Sequence, residues 1–245
     1  MFVTGLLLGA DSSPHLGAPW QLLAYQGGTL LGTTLESARE CGFDQLVVTL
    51  GSASEQIHDR IDLDGVRVVE SPHSDTGSSS IVPALDAVDR RADGIVVLLG
   101  DQPGITSATV WSLVAEAATP IGVCRYDDGE SQPCWFGREL FGELRDLRSD
   151  ADLWDPIDDG SHPVTKVDAI GNMPPRATSW DNYRQMISGR VAGRTGDPDD
   201  AVLNDPALND PALNDAALRD AALNDLALDT HPLATRPRSR RRTTY

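Results

Sequence analysis

The sequence predicts an α/β domain with a doubly wound, mainly parallel sheet, because apolar runs of strand length alternate with helical patterns. The runs are bounded by Gly, Asp or Pro and cover residues 3–8, 46–50, 66–69, 95–99 and 121–124. Apolar residues at helical spacing lie between and after them, at 31–38, 57–61, 81–88 and 110–117. In such a domain helices cover both faces of the sheet, and the ligand site lies at the carboxyl ends of the strands.

The second half of the domain has a looser pattern. A short strand at 135–136, a helix over 138–147, a strand over 164–167 and a closing helix over 180–187 are expected to cover the open side of the crevice. From about residue 190 a five-residue repeat dominates, for example Asn204-Asp-Pro-Ala-Leu. A period of five rotates Leu by about 140° per repeat on an α-helix, so no apolar stripe forms. We predict one domain over 1–190 and a disordered low-complexity tail over 191–245.

The composition of the chain limits the classes of partner that it is expected to bind. The formal charge of −17 argues against general nucleic-acid binding, which needs clustered Lys and Arg to replace phosphate counterions. The sequence has no apolar run near the ~18 residues of a membrane span, so no membrane partner is expected. Cys41, Cys124 and Cys134 lack CxxC spacing, which predicts reduced thiols and a cytoplasmic location.

Two loops carry the groups for phosphate and metal chemistry. Residues 9–19 form a loop of mostly small residues after the first strand, the layout in which backbone N–H groups can surround a triphosphate. Asp101 follows a buried strand directly and is fixed between Gly100 and Pro103. Mg²⁺ takes oxygen ligands from carboxylates and phosphates, so Asp101 is the candidate metal ligand. The alternative is that Asp101 only caps the next turn.

The order of residues in these loops resembles a known family. The first loop is similar to the pattern Leu-Ala-Ala-Gly-x-Ser-x-Arg-x-Gly-x-Pro-Lys-x-Leu-Leu of the MobA-like NTP transferases. Residues in matching places are Leu8, Ala10, Ser13, Gly17, Pro19, Leu22 and Leu23. Ser71-Pro72 with Gly77-Ser-Ser-Ser80-Ile81 resembles the family's Asn-Pro…Gly…Ser-Leu segment, and Gly100-Asp101-Gln102-Pro103 resembles its Gly-Asp-x-Pro. The resemblance covers about residues 3–190, with the molybdenum cofactor cytidylyltransferases as the nearest subgroup.

The resemblance implies a Rossmann-like sheet of the nucleotide-diphospho-sugar transferase type and a nucleotidyltransferase function. CMP or GMP would pass from CTP or GTP to molybdopterin, or to a related phosphorylated acceptor, in molybdenum cofactor maturation. Mg²⁺ would be held by Asp101. The residues that the resemblance assigns to nucleotide binding are Gly9, Ala10, Ser12, Ser13, His15, Gly17, Ser71, Gly77 and Ser80.

Several positions depart from the family pattern. Asp11 stands in place of a Gly, His15 in place of an Arg and Trp20 in place of a Lys, which removes cations from beside the triphosphate. Phosphoryl transfer depends on fixed cations, so reduced or lost activity is expected. Near the C-terminal end Arg176 and Thr178 replace two acids of the metal site. Restoring the family residue at all five positions is predicted to raise transfer.

Two other functions stay open at this point. One is a non-catalytic protein that retains the crevice, binds the cofactor and delivers it to a molybdoenzyme. The other is a cytidylyltransferase that acts on a different small phosphorylated acceptor. The first hypothesis to test is whether the chain binds a triphosphate.

Overall fold

A computed structural model describes residues 1–10, 19–71 and 79–191 of the chain. The strands are β1 (Val3–Gly9), β2 (Ala24–Tyr25), β3 (Gly28–Thr29), β4 (Gln45–Leu50), β5 (Arg67–Glu70), β6 (Gly94–Leu99), β7 (Ile121–Tyr126), β8 (Gly129–Gly137) and β9 (Val164–Asp168). The helices are α1 (Leu30–Glu40), α2 (Ser54–Arg60), α3 (Ile81–Ala87), α4 (Ser107–Glu116), α5 (Phe141–Leu144), α6 (Asp155–Asp158) and α7 (Trp180–Val191). The predicted tail lies outside the described residues, apart from the end of α7.

Seven strands form one sheet in the order β5-β4-β1-β6-β8-β7-β9. All neighbouring strands are parallel except at β8, which is antiparallel to both β6 and β7. Strands β2 and β3 form a separate antiparallel pair ahead of α1. The predicted fold class, a mainly parallel α/β sheet, is therefore confirmed.

Helices cover both faces of this sheet because its strands are apolar on both sides. On β1, Val3 and Leu7 join one buried cluster, which also receives apolar side chains of α1, α2, α4 and α7. Leu6 and Leu8 alternate with them and join the second cluster, which receives those of α3, α5 and α6. The doubly wound arrangement follows from this alternation.

Hydroxyl caps fix the start of two helices. Thr29 accepts a hydrogen bond from the Gly32 amide at the start of α1, and Thr106 accepts one from the Thr109 amide at the start of α4. Each side chain satisfies an amide that has no partner within its helix.

The region after β7 differs from the prediction in length. β8 extends over Gly129–Gly137, whereas the apolar pattern marked only 135–136. The apolar pattern did not include Ser131 and Gln132, because both residues are polar although the structure buries them in the strand. The helix expected over 138–147 is shorter: a 3-10 turn at Arg138–Leu140 leads into α5, which ends at Leu144.

Candidate functional site

The predicted site residues that the structure describes lie along the carboxyl edge of the sheet. Gly9 at the end of β1 pairs in register with Leu50 of β4, which in turn pairs with Glu70, the residue before Ser71. On the other side of β1, Asp101 follows the end of β6, one strand away. Strands are spaced about 4.8 Å apart, so Ser71 and Asp101 lie near the ends of strands separated by roughly 14 Å. An extended nucleotide can bridge that distance.

Gly9 fixes the start of the first loop. Its amide donates to the Thr49 hydroxyl at 3.2 Å, and its carbonyl accepts from the Gln21 side-chain amide at 2.8 Å. A Cβ at Gly9 would lie 2.9 Å from the Thr49 carbonyl oxygen, so glycine is required for this approach. Ala10, the next residue, is also buried. Thr49 and Gln21 were not singled out from the sequence, because nothing in their local pattern marks them.

Ser80, predicted to contact the nucleotide, is buried next to a carboxylate from the far half of the chain. Asp150 accepts hydrogen bonds from the Ser80 amide at 2.7 Å and the Ser80 hydroxyl at 2.6 Å. It also accepts from the Ser79 hydroxyl at 3.1 Å and the Ile81 amide at 3.3 Å. Asp150 therefore provides the N-terminal cap of α3, a role that the sequence analysis missed.

Asp101 forms an ion pair with an arginine from the far half of the chain. The Arg176 Nε lies 3.1 Å from Oδ1 and 3.2 Å from Oδ2, and its Nη2 lies 3.0 Å from Oδ2. The Asp101 side chain is 11% exposed, whereas that of Arg176 is 42% exposed. The resemblance predicted that Arg176 stands where the family has an acid near Asp101, but it did not show that both carboxylate oxygens of Asp101 accept from Arg176.

The segment around Arg176 is fastened to the Asp101 turn on two sides. The Ala177 amide donates to the Asp101 carbonyl at 3.1 Å. The Gln102 side-chain amide donates to the Pro174 carbonyl at 2.8 Å, while Gln102 Oε1 is buried and has no hydrogen-bond partner among the described residues. The backbone on either side of Arg176 is thereby held over the end of β6.

Trp20, which stands where the family has a Lys, is a buried residue of the core. Its side chain is 2% exposed and belongs to the core cluster with α1 and β6 residues. The indole ring packs against Gly100, where an added Cβ would lie 2.9 Å from it and 2.9 Å from the Leu8 carbonyl oxygen. Trp20 therefore replaces the family lysine with a core residue, and restoring the lysine would introduce a charge into the core.

Of the remaining residues predicted to bind nucleotide, most lie outside the described residues and one is described. Ser12, Ser13, His15, Gly17 and Gly77 lie outside the described residues, as does Asp11. Ser71 is described and buried at the end of β5, where its amide donates to the Leu50 carbonyl at 2.7 Å. The nucleotide contacts assigned to all these residues stay predictions.

The described residues contain no group of three or more His, Cys, Asp or Glu side chains that could enclose a metal ion. Asp101 alone fits a different mode of binding, in which Mg²⁺ uses one or two protein carboxylates and takes its other ligands from water and substrate phosphates. The donor set therefore suits a metal–nucleotide complex better than a free ion.

The three thiols are expected to be unreactive in the folded protein. Burial, with a smaller contribution from Glu40, raises the pKa of Cys41 to about 11, and burial raises that of Cys124 to about 12. The pKa of Cys134 is raised further, chiefly by burial. Only the thiolate is nucleophilic, so a thiol reagent at pH 8 should label the native protein slowly. In guanidinium all three thiols should react at once, and fast labelling of the native form would contradict the burial.

Because these pKa values are raised on folding, the thiols should also make stability pH-dependent. Between about pH 9 and pH 11 the unfolded chain loses thiol protons that the folded chain keeps. Their contribution is therefore complete below pH 9 and is lost as the pH rises through this window. Melting temperatures of the native protein and of Cys41→Ala, each measured at pH 8 and at pH 10.5, report this contribution of the thiols to stability.

The geometry defines an open α/β domain with its candidate site residues at the carboxyl edge of the sheet. The chain belongs to the MobA-like NTP transferase domain family, whose model matches residues 5–164. Among the described residues, no helix is long and apolar enough to cross a bilayer.

Solved structures of relatives extend the comparison over most of the domain. Rv0371c from Mycobacterium tuberculosis H37Rv is 42% identical, with a TM-score of 0.73 over 76% of this chain and 97% of that one. Its homolog from Mycobacterium sp. strain JC1 is 41% identical, with a TM-score of 0.75 over 78% of this chain and 98% of that one. The Mycobacterium tuberculosis protein has also been solved as a manganese complex.

The curated relatives match a shorter stretch. Nicotine blue oxidoreductase of Paenarthrobacter nicotinovorans is 34% identical over 113 residues, which cover 46% of this chain and 55% of that protein. The bifunctional protein GlmU of Trichlorobacter lovleyi is 31% identical over 46% of this chain and 25% of its own length. The chain thus spans about half or less of the curated relatives that it matches.

Proposed function

We propose that this protein binds CTP or GTP at the carboxyl edge of its sheet and transfers the nucleotide to molybdopterin or a related phosphorylated acceptor. An acceptor phosphate oxygen would bond to the α-phosphorus while the bond to the β-phosphate breaks, and pyrophosphate would leave. The carrying observation is the Asp101 carboxylate at the end of β6, one strand from Gly9. The family membership of residues 5–164 supports it.

A divalent ion is part of this proposal. Asp101 would hold it together with the nucleotide phosphates, where the ion would neutralise charge on the phosphates. The manganese complex of the 41% identical Mycobacterium tuberculosis protein supports this assignment. The proposed location is the cytoplasm, where thiols such as the free Cys41, Cys124 and Cys134 stay reduced.

The first experiment measures binding, because the candidate functions differ first at that step. Calorimetry with CTP, GTP and ATP, with and without Mg²⁺, is expected to show Mg²⁺-dependent binding of CTP or GTP. Pyrophosphate release is then measured with molybdopterin and with other small phosphorylated acceptors. Absence of binding for every triphosphate would refute the proposal.

A second candidate function follows from the Asp101–Arg176 pair. If the arginine stays on the carboxylate, the crevice can hold a nucleotide or cofactor but lacks its metal ligand. Such a protein would bind molybdopterin and deliver it to a molybdoenzyme. Binding of molybdopterin without pyrophosphate release from any triphosphate would favour delivery over transfer.

Asp101→Asn should weaken Mg²⁺-dependent triphosphate binding at least about tenfold, since the neutral amide is a much poorer ligand for a hard cation. Asp89→Asn is the matched control, because Asp89 also pairs with an arginine through two nitrogens, close before β6 at the opposite end of that strand. Calorimetry measures the affinity of the native protein, Asp101→Asn and Asp89→Asn for the triphosphate in the presence of Mg²⁺. Equal affinities for the native protein and Asp101→Asn would remove Asp101 from the site.

A further inference from the structure

Arg176 and Asp101 form a contact that differs from the other charge pairs of the described region. Arg176 reaches both carboxylate oxygens through two nitrogens, and the carboxylate is nearly buried. Arg91 makes a similar fork on Asp89, but there the arginine is 74% exposed and the aspartate 31%. The Asp101 pair is thus the more sheltered one, and it occupies the predicted metal ligand.

The arginine can leave without rearranging the backbone. The Ala177 amide on the Asp101 carbonyl and the Gln102 amide on the Pro174 carbonyl hold the segment on both sides of Arg176. Its side chain is 42% exposed, so rotation about its own bonds can carry the guanidinium from the carboxylate into solvent. The moving part is one side chain, not a loop.

The charged groups near Asp101 determine when rotation of the Arg176 side chain away from the carboxylate is favourable. Without nucleotide, a divalent ion must displace a guanidinium that satisfies both carboxylate oxygens, and it gains only one protein carboxylate in return. A triphosphate favours the rotation, because its oxygens bind the ion and also offer the planar guanidinium two oxygens for a bidentate contact.

We propose that Arg176 is an exchangeable counter-ion of Asp101, which excludes a free divalent ion and moves to the phosphates when a nucleoside triphosphate binds. This inference rests on the proposed nucleotide site. It makes metal binding dependent on nucleotide, and it assigns Arg176 a positioning role at the place where the family has an acid.

The test measures Mn²⁺ binding from the paramagnetic signal of the free ion, without nucleotide. The native protein is expected to bind Mn²⁺ weakly, and Arg176→Gln at least about tenfold more tightly, since charged hydrogen bonds of this kind are worth that much. The gain should vanish in the double variant Arg176→Gln with Asp101→Asn. Arg91→Gln removes the same charge from the similar fork and should leave Mn²⁺ binding unchanged.

The second arm adds a non-hydrolysable CTP or GTP analogue. Native protein should then bind Mn²⁺ tightly, and Arg176→Gln should bind the analogue more weakly than native protein when EDTA removes all metal. If Arg176→Gln does not fold, Arg176→Met serves, because it also removes the charge while keeping an unbranched stem, and it should gain Mn²⁺ affinity in the same way.

The outcomes separate the two proposals. Equal Mn²⁺ affinity in native protein and Arg176→Gln, or a gain that persists without the Asp101 carboxylate, would overturn the counter-ion role. Failure of native protein to bind either analogue would refute the proposed function and the move to phosphate. A gain in Mn²⁺ affinity in the first arm would still establish that Arg176 excludes the ion.

Discussion

Trp20→Lys is expected to destabilise the domain severely, although it restores the residue that the family has at this position. Trp20 is 2% exposed in the larger core cluster. Truncating a buried tryptophan costs about 3–5 kcal/mol, and an ammonium group without a partner adds a desolvation penalty. The free energy of unfolding should fall by at least about 4 kcal/mol. Urea denaturation followed by circular dichroism measures it.

The control for this variant is Trp20→Phe, which keeps an aromatic ring against Gly100 and should lose much less stability. If Trp20→Lys instead unfolds at the native denaturant midpoint, the indole is not packed as the structure has it. A five-residue restoration that includes Lys at position 20 is therefore expected to fail through folding. Any test of restored charge should leave Trp20 unchanged.

Asp150→Ala is the second substitution with a large expected effect. It removes the acceptor of hydrogen bonds from the Ser79 hydroxyl, the Ser80 amide and the Ser80 hydroxyl, and a weaker one from the Ile81 amide. Ser80 is fully buried, so its amide would lose this acceptor, and its hydroxyl would keep only the 3.4 Å hydrogen bond that the Thr49 hydroxyl donates to it. Losing such bonds to a charged group should lower the free energy of unfolding by about 2–4 kcal/mol.

Urea unfolding of Asp150→Ala should be compared with that of Asp146→Ala, which removes an exposed carboxylate four residues earlier. Asp150→Asn should fall between the native protein and Asp150→Ala, because its amide oxygen can still accept some of the bonds. Equal stability of the Asp150 and Asp146 variants would show that the cap contributes little.

Most of the fold could be predicted from local patterns. The strands β1, β4, β6 and β7 are apolar runs that match the predicted segments within two residues at each end. The order of strands could not be predicted in full, because the position of β8 between β6 and β7 depends on pairing between Cys134 and Val97, far apart in the chain. Its buried Ser131 and Gln132 also hid the strand from a hydrophobicity pattern.

The position of a single candidate residue could be predicted from the sequence, but the contact between two distant residues could not. Asp101 was identified by its position after a buried strand. Its partner Arg176 lies 75 positions later, and only the fold shows that the two side chains touch. Trp20 shows the opposite limit, because the resemblance marked it only as a missing cation, whereas the structure shows that its side chain is part of the core.

The contact between Asp150 and the start of α3 has a consequence for the order of events during synthesis. The strands β1, β4, β5 and β6 are complete by residue 99, and as parallel neighbours they can pair while later residues are still being added. The carboxylate that caps α3 is added some 70 positions after Ser80. Closure of such a long loop is a slow step. Four of the seven strands of the sheet are therefore synthesised before residue 100, whereas α3 acquires its N-terminal cap only after residue 150 has been added.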